Sequence, residues 1–217
     1  MQLIGMLDSP YVRRVAISLQ LLQLPFEHRS VSVFRGFEQF RQINPVVKAP
    51  TLLCDDGTPL MDSTLMLEYA EALAAPRSLM PAALPERQQA LHLIGLALAA
   101  TEKSVQIVYE HGIRPAEKVH APWLERVTGQ MHSAFGLLEA ALAPQSPHAP
   151  LLSLASGELQ QAGITLAVAV HFAQQMQPEQ ITAARYPRLS AWSAQAEQLP
   201  AFRAAAHGEG VYPVQGA

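Results

Sequence analysis

The chain predicts an α/β domain followed by an all-helical one, and three observations carry that expectation. A strand–helix–strand pattern opens the sequence, strand signals cease after Met61, and from Glu86 onward only helical periodicity remains. Strands alternating with helices build a helix-covered sheet, whereas an unbroken run of helical pattern packs helix on helix, so the two halves need separate cores.

Met1-Gln2-Leu3-Ile4-Gly5-Met6 is a short apolar run and reads as a buried strand. Leu7-Asp8-Ser9 turns, and Pro10 opens a helix. Serine is a preferred N-cap, and proline suits the first helical position because its missing N–H would have no partner there. Val12, Val15, Ala16, Leu19 and Leu22 share one face of that helix, with Arg13 and Arg14 off the stripe. Leu24-Pro25 ends it, and residues 26–31 read as a second strand parallel to the first. Gly36 to Ile43 is brief and helical or irregular, and Asn44-Pro45 breaks it. Residues 46–54 lead into a strand, Asp55-Asp56-Gly57 turns, and residues 58–61 return as a hairpin.

Asp62-Ser63 then opens a helix with Leu65, Met66, Tyr69, Ala70 and Leu73 on its apolar side, closed by Ala74-Ala75-Pro76. The proline-rich stretch that follows lacks periodicity and reads as a linker. Helical patterns cover Glu86–His111, Ala116–Leu142 and Glu158–Met176, the last apolar almost all round as a core helix is. Shorter helices start at Tyr186-Pro187 and Pro200, and the tail after His207 is expected to be loosely ordered. The expected organisation is residues 1–76 as the first domain, 77–85 as linker and 86–217 as the helical domain.

Fifteen Lys and Arg stand against 18 Asp and Glu in 217 residues, a formal charge of −3. That balance gives no reason to expect nucleic acid or an acidic membrane as partner. Charged residues are 15% and apolar residues 49%, a globular and not a disordered composition. One cysteine, Cys54, excludes an intrachain disulfide and a cysteine-based zinc site, and fits a reducing compartment. No signal-peptide pattern opens the chain, and the apolar segment Leu91–Ala100 is too short to span a bilayer. The expectation is a cytoplasmic protein with no membrane partner. None of the eight histidines shows metal-ligand spacing, so no metal is expected.

Ser9 admits two readings. It is a helix cap, or it belongs to an anion site, because free N–H groups and the helix dipole favour negative charge at a helix N-terminus. A thiolate there would be stabilised and its pKa lowered.

Three stretches now stand in order: Ser9-Pro10-Tyr11-Val12-Arg13-Arg14-Val15, Asn44-Pro45-Val46-Val47-Lys48-Ala49-Pro50-Thr51-Leu52, and Asp62-Ser63. With the helical second half, this order resembles the glutathione S-transferase superfamily, in a bacterial branch with serine at the catalytic position, over nearly the whole chain. The resemblance implies a thioredoxin-like N-terminal domain, a helical-bundle C-terminal domain, glutathione as co-substrate, and a homodimer. It makes Ser9 the catalytic residue, donating its hydroxyl to the glutathione sulfur. A thiol of pKa about 8.5 is only slightly ionised at neutral pH, so a donor that stabilises the thiolate raises the reactive fraction.

The resemblance also assigns the tripeptide's other contacts. Ala49-Pro50 matches the family's Val-Pro, whose cis proline turns the preceding backbone toward the cysteinyl backbone as an added strand would be. Lys48 would meet the glycyl carboxylate as a point charge. The Ser63 hydroxyl and N–H would hold the γ-glutamyl carboxylate at a helix N-terminus, and Asp62 would face the glutamyl ammonium. Aspartate stands there in place of the family's glutamate, one methylene shorter. Each residue also has a plainer reading: a proline starting a strand, a solvated lysine, a capping pair.

The acceptor pocket would lie between Ser9 and the first long helix of the second domain, with Tyr11, Phe34 and Tyr109 as lining candidates, each equally readable as a packing residue. Cys54 reads as a small core residue. The family's Ser/Thr-x-x-Asp capping box near the start of the sixth long helix is replaced by Gln160 and Gly163. A lost cap costs about 1 kcal/mol and the glycine up to roughly another, unless Ser156 caps instead.

Three functions remain open. One is a transferase adding the glutathione thiolate to a small electrophile. A thiol reductase on the same fold would need a cysteine at position 9 for its mixed disulfide, which the serine argues against. The third is a non-catalytic binding or scaffold protein that kept the fold.

Overall fold

A computed structural model describes residues 1–155 and 157–213. They form two compact units, Met1–Leu79 together with the segment from Gln198 onward, and Met80–Glu197.

In the first unit the chain runs β1 (Gln2–Ile4), α1 (Pro10–Leu21), β2 (Glu27–Arg29), α2 (Phe37–Ile43), β3 (Thr51–Leu53), β4 (Pro59–Leu60) and α3 (Ser63–Ala74). The mixed four-stranded sheet has the order β2-β1-β3-β4. β1 pairs parallel with β2, Leu3 opposite His28, and antiparallel with β3, Leu3 opposite Leu52. β3 and β4 form the hairpin that Asp-Asp-Gly announces, Leu52 opposite Leu60. β1 is shorter than its apolar run because Gly5 turns the chain at φ +136°, a conformation L side chains rarely adopt.

α1 buries the expected stripe of Val12, Val15, Ala16, Leu19 and Leu22, and it packs against α3. It also buries Arg13 and Arg14, which are 1% and 2% exposed. Arg13 belongs to the end of the chain. Its Nε donates to the carbonyl of Ala205 at 2.7 Å, its Nη2 to that of Phe202 at 3.3 Å, and its guanidinium lies over the Phe202 ring at 5.7 Å. These carbonyls end α8 (Pro200–Ala204), where a helix C-terminus leaves acceptors without partners and favours a cation.

The sequence reading places residues 86–217 in one helical domain, and their last segment has its packing partners in the first unit. From Gln198 onward the chain packs with the first unit, and its tail is held. Tyr212 is 2% exposed, stacks on Phe26 at 4.8 Å between ring centroids, and donates its hydroxyl to Gln20. Its backbone N–H donates to Nδ1 of His28, and Ser30 donates to the Glu209 carbonyl.

The second unit holds α4 (Leu84–Gly112), α5 (Ala121–Ala141), α6 (Gln161–Met176) and α7 (Pro187–Ala196), with 3-10 turns at Ala116–Lys118 and Ala149–Leu152. α4 starts inside the stretch expected as linker. By length and composition alone it could cross a membrane, yet Ala90, Leu93, Ile94, Ala97 and Ala100 are spent on the core of this unit. Met131, Phe135, Leu166, Ala169 and Leu189 complete that core from α5, α6 and α7.

At the start of α6, Gln160 makes no side-chain cap. A Cβ on Gly163 would stand 3.0 Å from Leu159 Cδ1 and 3.7 Å from Trp192 Cζ2, so the glycine gives these side chains their close approach. Ser156, the alternative cap, lies outside the described residues.

Candidate functional site

Ser9 stands where β1 delivers the chain to α1. It adopts extended dihedrals as the N-cap, and its Oγ accepts from the N–H of Val12 at 3.4 Å. Among the described residues no acceptor takes its hydroxyl proton, so the group that caps the helix keeps a donor to offer. The cap and anion-site readings are therefore compatible in one side chain.

Gly5 fixes where that turn sits. A Cβ there would stand 2.6 Å from Val12 Cγ2 and 3.2 Å from Ala49 Cβ. The absence of a side chain lets the first turn of α1 and the Ala49 segment close on the end of β1. Nothing in the apolar run 1–6 singled out this glycine, because its two neighbours are distant in sequence or on the next element.

The Ala49–Pro50 peptide is cis, as are Met61–Asp62 and Ala75–Pro76. The β1–β3 register ends at Thr51, so Ala49 and Pro50 stand just past the last paired residue. Asn44, buried and read from sequence only as a helix breaker, braces this segment. Its Nδ2 donates to Thr51 Oγ1 at 2.8 Å and to Met61 Sδ at 3.4 Å, and its Oδ1 accepts from Val46 N–H at 3.0 Å. Thr51 Oγ1 in turn donates to the Lys48 carbonyl at 2.8 Å. One buried amide thus ties the Lys48–Pro50 turn to the chain entering Asp62. Val47 takes the left-handed region at φ +52°, costly for a β-branched residue and tolerated where the surroundings dictate it. Lys48 is exposed.

Asp62 is exposed and caps α3, its Oδ1 accepting from Thr64 N–H at 2.7 Å. Ser63, the first residue of α3, is buried. Beneath it lies Arg14, whose Nη1 donates to Ser63 Oγ and to Thr64 Oγ1, each at 3.2 Å. Burial pulls the Arg14 pKa down to about 10, the Asp62 charge only partly opposing it. Sequence reasoning left Arg14 as a charge off the apolar stripe; only the packing of α1 on α3 shows where it goes.

Of the pocket candidates, Tyr11 is half-buried in the first turn of α1, and Phe34 is 58% exposed on the turn before α2. Tyr109 is 45% exposed on α4 of the second unit. Cys54 is buried at the end of β3, its N–H donating to the Thr58 carbonyl across the hairpin. Burial pushes its thiol pKa up, opposite to what a reactive thiolate needs. Among the described residues no group of three or more His, Cys, Asp or Glu is placed to hold a metal ion.

Comparison with known proteins agrees with this geometry. Residues 3–78 match the family model for the glutathione S-transferase N-terminal domain and residues 121–195 that for the C-terminal domain. The Escherichia coli uncharacterized GST-like protein YibF is 25% identical over 156 residues, 72% of this chain and 77% of that protein. Arabidopsis thaliana glutathione S-transferase U4 is 26% identical over 59% of this chain and 61% of its own length. A glutathione transferase family member from Pseudomonas fluorescens Pf-5, solved with bound glutathione, superposes with a TM-score of 0.79 at 27% identity, covering 94% of this chain and 97% of that one. Its complex with S-(propanoic acid)-glutathione gives 0.77. The small mixed sheet, the helical second unit and both family models agree: the chain belongs to the glutathione S-transferase superfamily.

Proposed function

We propose that the protein is a glutathione transferase that adds the glutathione thiolate to a small, hydrophobic electrophile. The observation that carries this reading is the Ser9 hydroxyl, held at the N-terminus of α1 with its proton uncommitted. A hydroxyl donor and a helix N-terminus both favour a thiolate over a thiol without a full positive charge. Ser9 thereby acts as a hydrogen-bond donor, not a covalent nucleophile.

In this reading Ala49 and Pro50 present the backbone edge just before β3 to the cysteinyl unit. Lys48 meets the glycyl carboxylate, Ser63 the γ-glutamyl carboxylate and Asp62 the ammonium. Asp62 caps α3 through Oδ1, which leaves Oδ2 for the ligand. Tyr11 and Phe34 supply apolar surface for the acceptor. The working form is a cytoplasmic homodimer: Leu65, Tyr69 and Leu73 recur every fourth residue along α3, all exposed, as an apolar stripe for a second copy.

The test is a pH titration of the thiolate absorbance of bound glutathione in wild type and Ser9→Ala. A higher thiol pKa and lost turnover in the variant support the reading. A wild type that binds glutathione with an unperturbed thiol and turns over no electrophile is a binding protein on a transferase fold.

A further inference from the structure

The guanidinium of Arg14 is a buried cation that no carboxylate among the described residues pairs with directly. Its Nη1 bonds are to two neutral hydroxyls, its Nε has no partner, and no described carboxylate lies within ion-pair distance. It sits against the N-terminus of α3, where the helix dipole is already positive, so the two fields add. Burying a lone charge is unfavourable unless an opposite charge arrives. Among the described residues only the exposed Asp62, at the N-cap of α3, answers that charge, and it does so in part.

The hydroxyls carry the field outward. Ser63 Oγ and Thr64 Oγ1 each spend a lone pair accepting from Arg14, so each must turn its own proton elsewhere, and no described residue accepts either proton. A hydroxyl that accepts from a cation is also a stronger donor. Two polarised O–H groups, the Ser63 N–H and the guanidinium behind them make a site for one carboxylate, the Thr64 N–H being taken by the Asp62 cap.

We propose that Arg14 is the positioning residue that gives this site its charge, so that discrimination for the free α-carboxylate of the tripeptide depends on Arg14 and not on Ser63 alone. The inference rests on the reading that Ser63 holds the γ-glutamyl carboxylate of glutathione. Arg14 acts through Ser63 and Thr64, and its effect falls on binding and not on the chemistry at sulfur. Arg13, its sequence neighbour, is excluded from the role because the carbonyls ending α8 already occupy it.

The test is calorimetric titration of glutathione and of 4-aminobutyryl-cysteinylglycine, the same tripeptide without the α-carboxylate, into wild type, Arg14→Gln and Arg14→Lys. The wild type is expected to prefer glutathione by about tenfold or more, the usual range for a hydrogen-bonded charge. Arg14→Gln is expected to lose most of that preference, Arg14→Lys to recover part of it, and the KM for glutathione to rise with kcat little changed. Because removal of a buried arginine threatens folding, the Arg14 Nε–H resonance of the wild type gives an independent reading. It is expected to shift on adding glutathione and not on adding the decarboxylated tripeptide. Equal affinity of the wild type for both ligands, preference retained in Arg14→Gln, or an identical resonance with both ligands overturns the role of Arg14. Failure of the wild type to bind glutathione at all overturns instead the reading beneath it.

Discussion

Tyr212 donates its backbone N–H to Nδ1 of His28 at 2.9 Å, across 184 residues of sequence. That bond fixes the histidine's tautomer. Nδ1 must be unprotonated, so Nε2 carries the hydrogen and donates to the Gly5 carbonyl at 2.7 Å. One neutral ring therefore joins the tail to the glycine that sets the Ser9 turn.

This arrangement has a pH dependence of definite sign. Burial lowers the His28 pKa below its ordinary value, the Gly5 carbonyl only partly opposing it. The unfolded chain keeps a value of about 6.5 and so binds more protons just below that pH. The stability contribution is complete above about pH 6.5 and is lost as pH falls from there through the lower folded value. Half-buried His132, beside Arg185, is shifted the same way, by its partial burial first and by that cation second. Melting curves from about pH 8 to about pH 5 are expected to show His28→Leu less stable at the alkaline end and flatter toward acid than wild type. Parallel curves would contradict the role given to His28.

Gly5→Ala is expected to cost about 1–3 kcal/mol or more, because its Cβ meets a stiff valine at 2.6 Å in a backbone conformation that disfavours side chains. Denaturant unfolding measures the cost, and an unchanged midpoint would mean that α1 and the Ala49 segment are free to move apart.

Asn44→Ala removes the brace between the Lys48–Pro50 turn and Met61, leaving the Val46 N–H without a partner and Thr51 Oγ1 with only its own bond to the Lys48 carbonyl. A loss of about 1–3 kcal/mol is expected from the buried groups involved, together with weaker glutathione binding. Normal affinity in a destabilised variant would show that the brace serves the fold alone.

Replacing Leu65 or Leu73 with arginine breaks the exposed stripe of α3 without touching a buried residue. Sedimentation is expected to give a dimer for wild type and a monomer with unchanged helical content for either variant. A wild type that is monomeric at micromolar concentration would remove the homodimer from the account.

Much of the architecture was legible because its signals are local. The opening strand–helix–strand unit, the Asp55–Gly57 hairpin and the helices of the second half follow from period, turn residues and proline placement within a few positions. The docking of the tail was not. Arg13 reads as a surface charge until its partners, the carbonyls of Phe202 and Ala205, are known, and backbone acceptors leave no mark in sequence. Tyr212 and His28 are likewise an ordinary tyrosine and histidine until the fold brings them together.

The candidate site divides the same way. Ser9, Ala49-Pro50 and Asp62-Ser63 stand out as a family pattern because their order along the chain is itself a signal. Gly5, Asn44 and Arg14 do not, since each acts on a neighbour supplied by another element. Gly163 shows the converse: a departure from the family's capping box that looks like decay in sequence and in three dimensions makes room for Leu159 and Trp192.

Ser9→Ala is expected to raise the pKa of bound glutathione by about 1–2 pH units, the equivalent of one charge-assisted hydrogen bond. Turnover is expected to fall in proportion to the lost thiolate fraction, most steeply near neutral pH. A bound thiol of unchanged pKa would make Ser9 a helix cap alone.

The most direct measurement is calorimetric titration of glutathione into the wild type and into Ser63→Ala. Binding to the wild type, weakened about tenfold or more in the variant, is the predicted result. No binding to the wild type, or equal binding to both proteins, would contradict a glutathione site built on the N-terminus of α3.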